Sequence, residues 1–204
     1  MLHTDPKKPK NCLAAFDFDG TITTKDSMIE FIRYVRGTTR LLTSAAWLAP
    51  TLAFWKMGLY PREMAKERLL KWHFGGKTIT EMRQKGEAFA KDVIPTILRP
   101  QALERIQWHR DQGHRIAVVT ASLDFWVKPW CESQGIPCIA TIPKVEQGRF
   151  TGHLGSPNCY GQEKVDRLLT AGLDSWEMLY AYGDTEGDKE LLAFADQSEF
   201  KPFR

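Results

Sequence analysis

Two aspartates that directly follow an apolar run are the residues of this sequence best suited to catalysis. Asp17 and Asp19 belong to the segment DFDGT, which comes after the apolar residues 13–16. The run predicts a short buried strand that stops at Gly20, so both carboxylates are expected at its carboxyl end, where ligands bind in open α/β sheets. One carboxylate could attack a substrate while the other transfers protons. Because two neighbouring anions repel each other, the pair also predicts a bound metal ion.

Further polar groups follow later in the chain, each placed next to a predicted strand or at the start of a predicted helix. A cation in the first turn of a helix opposes the helix dipole, so a lysine in that position is better explained if it faces an anion. The groups are Thr120 after the apolar run 116–119, Lys164 near the start of a helix, Asp184 after the run 178–182, and Asp188 four residues beyond it.

This ordered set resembles the haloacid dehalogenase superfamily of phosphotransferases, which carries DxDGT, a strand-end Thr or Ser, a Lys and GDxxxD. The similarity extends over residues 13 to about 192 and is strongest to subfamily IB, the phosphoserine-phosphatase-like branch, in which a helical cap follows the first motif. The resemblance implies a phosphatase that works through an aspartyl-phosphate. It also implies Mg²⁺ as cofactor and a phosphorylated small molecule or lipid as substrate.

The resemblance further implies a role for each residue of the set. Within the superfamily, an aspartate at the position of Asp19 is typical of phosphatases and phosphomutases. Asp17 would be the nucleophile, and Asp19 would be the general acid and base. The implied phosphate-binding residues are Thr120 and Lys164, and the implied metal ligands are Asp17, the backbone carbonyl of Asp19, and Asp184, with Asp188 in a supporting position.

The pattern along the chain predicts an α/β fold with an insertion. Residues 27–97 show helical spacing of apolar side chains and no buried-strand pattern, whereas strand–helix alternation returns from Pro100 onward. We therefore expect a Rossmann-like parallel sheet core formed by residues 1–26 and 98–204, with an inserted helical cap of the C1 type over 27–97. The alternation is broken at residues 142–154, where a glycine-containing turn predicts a hairpin.

Two residues on the cap side are predicted to influence substrate choice. Asp26 lies nine residues beyond Asp17, where phosphoserine phosphatases carry a glutamate that binds the substrate amine, and Arg68 can be aligned with the arginine that binds the substrate carboxylate. Asp26 is one methylene shorter than glutamate, and it also suits the N-cap of a helix starting at Ser27, so both roles stay open. We expect a phosphomonoester larger than phosphoserine, with phosphoserine phosphatase proper as the alternative.

Residues 41–55 form an uncharged stretch that includes Trp47 and is flanked by basic residues. The stretch is shorter than the roughly 20 residues that a membrane-spanning helix needs, and Pro50 interrupts it. It predicts either a buried cap helix or an interfacial helix that contacts a membrane peripherally.

Composition excludes several other classes of function. A net charge of +3 with no recognised nucleic-acid motif argues against a nucleic-acid partner, and the chain has no GxSxG elbow or zinc-ligand spacing. Without an apolar N-terminal signal segment, a cytoplasmic location is expected, with residues 1–11 as a mobile basic arm. A receiver-like signalling module, which also uses acidic strand ends, Mg²⁺ and a lysine, is the alternative from a non-enzymatic class. The oligomeric state is not indicated by any pattern.

Overall fold

The computed structural model describes residues 11–57, 61–173 and 175–204. Seven strands are found in these ranges: β1 (Cys12–Phe16), β2 (Arg115–Leu123), β3 (Cys138–Thr141), β4 (Pro143–Glu146), β5 (Arg149–Leu154), β6 (Met178–Gly183) and β7 (Gln197–Phe200). Five of them form a parallel sheet in the order β3-β2-β1-β6-β7, and β4 and β5 form a separate antiparallel hairpin. The predicted parallel α/β architecture and the hairpin are therefore confirmed.

The central strand β1 is buried along its whole length. Because helices cover both faces of a parallel sheet, a central strand needs apolar residues on both of its sides. The apolar run of residues 13–16 meets this requirement. Phe16, its last residue, is in register with Val118 of β2 and Tyr182 of β6. The carboxyl ends of the three strands consequently lie side by side, and the residues that follow them share one edge of the sheet.

Nine helices surround or extend the sheet in the described ranges. Helices α6 and α7 contribute to the core on one face of the sheet, and α8 and α9 contribute to the core on the other. The helices are α1 (Ser27–Arg36), α2 (Thr38–Lys56), α3 (Arg62–Phe74), α4 (Ile79–Asp92), α5 (Ile94–Ile97), α6 (Pro100–Asp111), α7 (Asp124–Ser133), α8 (Gln162–Thr170) and α9 (Lys189–Phe194).

The helical segment 27–97 packs against the rest of the chain through several of its helices, and two of these contacts are especially close. Helix α4 lies against α7, and at Gly86 the two backbones are so close that an added Cβ atom would come within 1.8 Å of the Phe125 carbonyl oxygen. Helix α3 packs against β5, where Glu67 accepts a hydrogen bond from the backbone N–H of Leu154 at 2.8 Å. These contacts hold α1 to α5 over the carboxyl ends of the strands. We keep the division into a core (1–26 and 98–204) and a cap (27–97) as our proposal.

The ends of two strands are set by features other than the apolar runs of the sequence. Strand β3 begins at Cys138, directly after Pro137, which has no N–H to give to the sheet and contributes only its carbonyl, which accepts from Val118 at 2.9 Å. Strand β2 extends beyond the apolar run 116–119 and continues through Thr120 to Leu123 across a shift in register.

Some predictions fall on residues that the structure does not describe. The basic arm proposed for residues 1–11 lies outside the described ranges except for Asn11. In α2, the side chains at positions 45, 48 and 50–56 are likewise outside the description, so the stretch 41–55 can be discussed only through its other residues. Among the helices described, none is long and apolar enough to cross a membrane.

Candidate active site

The predicted catalytic residues line a single cavity at the carboxyl ends of the strands. The cavity has a volume of about 530 Å³ and lies between the sheet and the helices of residues 27–97. Asp17 follows β1, Thr120 lies near the end of β2, and Asp184 follows β6; all three are buried. The other predicted residues that line the cavity are Asp19, Asp26, Lys164 and Asp188.

Lys164 forms the most deeply buried ion pairs of the site. Its ammonium nitrogen lies 2.5 Å from Asp17 Oδ1 and 2.6 Å from Asp188 Oδ1, and it also donates to the carbonyl oxygen of Val119 at 2.8 Å. The side chain is only 2% exposed. A charge so deeply buried is tolerated only when it is paired and hydrogen-bonded, and here three oxygen atoms satisfy the ammonium group. Lys164 thus faces two carboxylates, which supports the prediction that it faces an anion.

Burial and these charges shift the pKa values of the three groups. Burial raises the pKa of Asp17 to about 8, although the charge of Lys164 opposes the shift. Burial alone would lower the pKa of Lys164, but the charges of Asp17 and Asp188 outweigh it and raise the pKa. Burial likewise would raise the pKa of Asp188, whereas the charge of Lys164 and hydrogen bonds lower it. Asp188 is thus held as a carboxylate, and Asp17 is the group whose charge depends most on a further cation.

The carboxylate of Asp19 has other hydrogen-bond partners than that of Asp17. Its Oδ1 accepts a hydrogen bond from the backbone N–H of Ser27 at 2.6 Å, and its Oδ2 accepts from Ser122 Oγ at 2.5 Å. Burial raises the pKa of Asp19 to about 6, and the nearby charge of Asp26 adds to this, while the hydrogen bonds oppose it. A carboxyl group with a pKa in this range can both donate and accept a proton near neutral pH.

The turn that follows the two aspartates depends on Gly20. Its φ of +83° lies in the left-handed region that favours glycine. A Cβ atom at this position would also lie 2.4 Å from Asp184 Oδ2. Gly20 therefore allows the chain to turn after Asp19 while the carboxylate of Asp184 lies directly against the backbone.

Three carboxylates could hold a metal ion. Asp17, Asp184 and Asp188 each offer one oxygen atom, and these atoms lie within 4.8 Å of one another. Both oxygens of Asp188 already accept hydrogen bonds, Oδ1 from Lys164 and Oδ2 from the backbone N–H groups of Asp184 and Thr185. With the hydroxyl group of Thr185 as a further donor, Asp188 accepts more hydrogen bonds from the described residues than Asp17 or Asp184 and has the fewest lone pairs left for direct ligation. A donor set made of oxygen atoms fits Mg²⁺.

Asp184 is oriented by two further groups that the sequence patterns did not indicate. Thr21 Oγ1 donates to Asp184 Oδ1 at 3.2 Å, and the guanidinium group of Arg204 donates to Asp184 Oδ2. Burial raises the pKa of Asp184, and the charge of Arg204 lowers it. Phe203 is buried against Phe16 and Tyr182, which fixes the position of the neighbouring Arg204.

The two cap-side predictions have different outcomes. Asp26 lines the cavity and accepts a hydrogen bond from the backbone N–H of Ile29 at 3.1 Å, so it caps α1 and can also reach the cavity. Arg68 is not among the described residues that line the cavity; its guanidinium group lies over the ring of Trp47 at 4.7 Å. The cation that α3 places in the cavity is instead Lys66, which donates to the carbonyl oxygen of Ala121 at 2.5 Å and to Asn158 Oδ1 at 2.8 Å.

Lys66 was missed because the sequence does not fix the orientation of α3. Residues two positions apart on a helix point in nearly opposite directions, so either Lys66 or Arg68 can face the cavity, but not both. The polar residues are spread around α3, and no continuous apolar stripe indicates which side is inward. Lys66 lies two positions from the predicted residue, and its direction is decided by packing of α3 against the hairpin.

The cap side of the cavity is mostly apolar. Met28 and Ile29 of α1, Leu41 of α2 and Leu69 of α3 line it opposite the carboxylates. A substrate bound with its charged group at Asp17 would thus place the rest of the molecule against aliphatic side chains.

Comparison with known proteins gives a family for the chain. The model of the haloacid dehalogenase-like hydrolase family matches residues 14–193. Protein CicA of Caulobacter vibrioides is 34% identical over 194 residues, which are 94% of this chain and 86% of that protein.

Solved structures have the same fold. A Bordetella pertussis protein of unknown function is 26% identical with a TM-score of 0.78, covering 92% of this chain and 88% of the other. A phosphoserine phosphatase, solved as an analogue of its phospho-aspartyl intermediate, has a TM-score of 0.64 at 21% identity. The match covers 95% of this chain and 86% of the other. At that identity the likeness is evidence for the fold alone. The resemblance inferred from the motifs is confirmed at the level of the family and of the fold.

Proposed function

The chain belongs to the haloacid dehalogenase-like hydrolase family and is a phosphatase, and on this premise we propose that it hydrolyses phosphate monoesters through an aspartyl-phosphate with Mg²⁺. The observation that carries the proposal is the position of Asp17 at the end of β1, in contact with the buried cation Lys164. An unpaired carboxylate would repel an anionic substrate. Lys164 offsets part of the negative charge of the carboxylates, and a metal ion held by their oxygen atoms would supply the further positive charge that a phosphate requires.

In the first half of the reaction, an oxygen atom of Asp17 attacks phosphorus as the ester P–O bond breaks. The bonding electron pair stays with the leaving oxygen, which takes a proton from Asp19 and departs as an alcohol. Thr120 holds a phosphoryl oxygen during this step, and Lys164 exchanges one of its three present acceptors for another phosphoryl oxygen. In the second half, Asp19 removes a proton from water, which attacks phosphorus and frees Asp17.

Asp17, the backbone carbonyl of Asp19, and Asp184 would hold Mg²⁺, with Asp188 orienting them. When bound, Mg²⁺ neutralises negative charge on the phosphoryl group and on the carboxylates. Mg²⁺ would have its largest effect on the charge of Asp17. Burial raises the pKa of this carboxyl group, and a second cation beside Lys164 would favour its charged form.

The shape of the cavity supports a substrate larger than phosphoserine. A cavity of about 530 Å³ with Met28, Ile29, Leu41 and Leu69 on one side offers aliphatic contacts that the polar body of serine does not use. We propose a phosphomonoester with a bulky apolar or lipid-like alcohol. We also propose that the protein acts in the cytoplasm and contacts a membrane peripherally through residues 41–55. Leu41 and Ser44 of this stretch line the cavity, so an apolar substrate at a lipid surface would enter the cavity next to α2.

The decisive experiment is a screen of the purified protein against alkyl, aryl, amino-acid and lipid phosphates, with Mg²⁺ and with EDTA. We expect hydrolysis that requires Mg²⁺, with phosphoserine among the poor substrates. Asp17→Asn, with its fold checked by circular dichroism, should lower turnover by several orders of magnitude, because it removes a covalent nucleophile.

Three results would contradict the proposal. If Asp17→Asn keeps a tenth of the wild-type turnover, Asp17 is not the nucleophile. If phosphoserine is the best substrate of the panel, the proposal of a larger alcohol is wrong and phosphoserine phosphatase is favoured. If the protein takes up phosphate from acetyl phosphate but does not turn over any ester, it acts as a receiver-like module.

A further inference from the structure

The carboxylate of Asp19 is held by a chain of buried groups that the mechanism above does not use. Ser122 Oγ donates to Asp19 Oδ2 at 2.5 Å, and the oxygen atoms of Ser122 and Ser27 lie 3.2 Å apart. Behind them, Trp126 Nε1 donates to Ser27 Oγ at 2.9 Å. Ser27, Ser122 and Trp126 are all buried. These groups connect Asp19 to the interior of the protein through a row of three polar atoms, Ser122 Oγ, Ser27 Oγ and Trp126 Nε1.

The hydrogen-bonding chemistry of this row suits a residue that must exist in two protonation states. An indole N–H can only donate, so Ser27 Oγ always accepts from Trp126. When Asp19 is a carboxylate, Ser122 donates to it. When Asp19 carries a proton, Ser122 can accept that proton in a hydrogen bond and donate its own to Ser27. The row can thus keep a hydrogen bond between Ser122 and Asp19 in both states, because the hydroxyl group of Ser122 can either donate or accept.

Three separate elements supply the row. Ser27 is the first residue of α1, Ser122 lies at the end of β2, and Trp126 belongs to α7. The backbone N–H of Ser27 also donates to Asp19 Oδ1, so both oxygens of Asp19 are fixed by residues of this row. Any displacement of α1 relative to the sheet would therefore move Asp19 as well.

We propose that Ser122 and Ser27, with Trp126 behind them, are positioning residues that aim Asp19 at the leaving-group oxygen. The inference rests on the proposed function, in which Asp19 donates a proton to that oxygen as the P–O bond breaks. Positioning of this kind matters when the leaving group needs a proton and has little effect when it does not. An alkoxide is a poor leaving group and requires protonation, whereas 4-nitrophenolate is a stable anion.

The test compares two substrates in each variant. Values of kcat/KM are measured with Mg²⁺ for 4-nitrophenyl phosphate and for the best alkyl phosphate of the panel. In Ser122→Ala, kcat/KM for the alkyl phosphate should fall at least about 10-fold, within the range that general acid catalysis contributes, while the value for 4-nitrophenyl phosphate should stay within about 2-fold. Ser122→Thr keeps the hydroxyl group and should restore most of the loss.

Two more variants make the comparison specific. Trp126→Phe removes the indole N–H but keeps an aromatic ring against Phe31, and it should give the same pattern as Ser122→Ala with a smaller loss. Ser133→Ala is the matched control, since Ser133 is an exposed residue at the end of α7 that donates to the carbonyl of Trp130 and accepts from the side chain of Gln134. It should change neither value.

Equal losses for both substrates in Ser122→Ala would overturn the inference, because they would show that Ser122 binds the phosphoryl group or supports the fold. Unchanged values for both substrates would also overturn it. Failure of the wild-type protein to hydrolyse either ester would instead overturn the proposed function, which is a different result from losses confined to the variants.

Discussion

Lys164 Nζ lies 2.5 Å from Asp17 Oδ1, and both side chains are buried beneath the carboxyl ends of β1 and β2. The contact brings together residues 147 positions apart in the chain. It couples stability to catalysis, because the cation that would neutralise charge on a bound phosphate also opposes the rise in the pKa of Asp17 that burial causes.

Lys164→Ala should therefore be both inactive and unstable. Removing one partner of a buried ion pair typically costs about 3–5 kcal/mol, since the remaining charge is left without compensation. Urea unfolding in the presence of EDTA measures the change in the free energy of unfolding. Lys128→Ala is the control: Lys128 pairs at 3.8 Å with Glu132 on the exposed side of α7, and its loss should cost less than about 1 kcal/mol. Equal losses in the two variants would contradict the role given to Lys164.

Lys66→Ala and Arg68→Ala should separate a residue that faces the cavity from one that does not. Lys66 lines the cavity, whereas Arg68 lies over Trp47 on another side of α3. We expect Lys66→Ala to raise KM for the best substrate of the panel several-fold, with kcat changed less, and Arg68→Ala to leave both within about 2-fold.

Lys66 also joins α3 to Ala121 and Asn158, so thermal unfolding of both variants is measured as well. A lower Tm in Lys66→Ala with an unchanged KM would mean that Lys66 only supports the fold. A larger rise of KM in Arg68→Ala would favour the original alignment of Arg68 with a substrate-binding arginine.

The membrane contact can be tested on an exposed aromatic pair. The rings of Trp47 and Trp72 stack at 4.6 Å between centroids, both residues are about half exposed (49% and 50%), and Arg68 covers Trp47. Aromatic and basic side chains on one surface favour the interface of an anionic membrane. We expect the protein to float with anionic liposomes at low salt, less so at high salt, and weakly with neutral liposomes.

Trp47→Ala with Trp72→Ala should reduce this flotation, whereas Trp108→Ala, which removes an exposed tryptophan of α6, should not. Absence of flotation of the wild-type protein at low salt would remove the membrane proposal and leave α2 as a cap helix only.

Stability should fall as the pH is lowered, partly because of His109. Burial lowers its pKa to about 3 from an ordinary value of 6.5, and the charges of His114 and Arg105 add to the shift. Below about pH 6.5 the unfolded chain binds a proton that the folded protein does not, so the free energy of unfolding falls until about pH 3, by at most about 1.4 kcal/mol per pH unit. His109→Gln should make this dependence flatter in urea unfolding between pH 7 and pH 4. The same slope in both proteins would show that His109 does not contribute.

Much of the site could be predicted from the sequence because strand ends are local features. A buried parallel strand is a continuous apolar run, and the residue that ends the run is carried to the ligand-binding edge whatever the rest of the chain does. Asp17, Thr120 and Asp184 were identified in this way, and the order of the motifs gave the family. The sequence by itself thus determined the family, the parallel sheet and which acidic groups meet.

Only the tertiary structure decided how those groups are oriented. Ser27 and Ser122 are 95 positions apart, and neither belongs to a pattern that predicts contact with Asp19. The choice of Lys66 over Arg68 depends on the rotation of α3, which packing against the hairpin sets and the spacing of its residues does not. Periodicity reports which residues are buried, whereas the direction of a polar side chain depends on partners that are distant in sequence, and those partners are known only once the chain is folded.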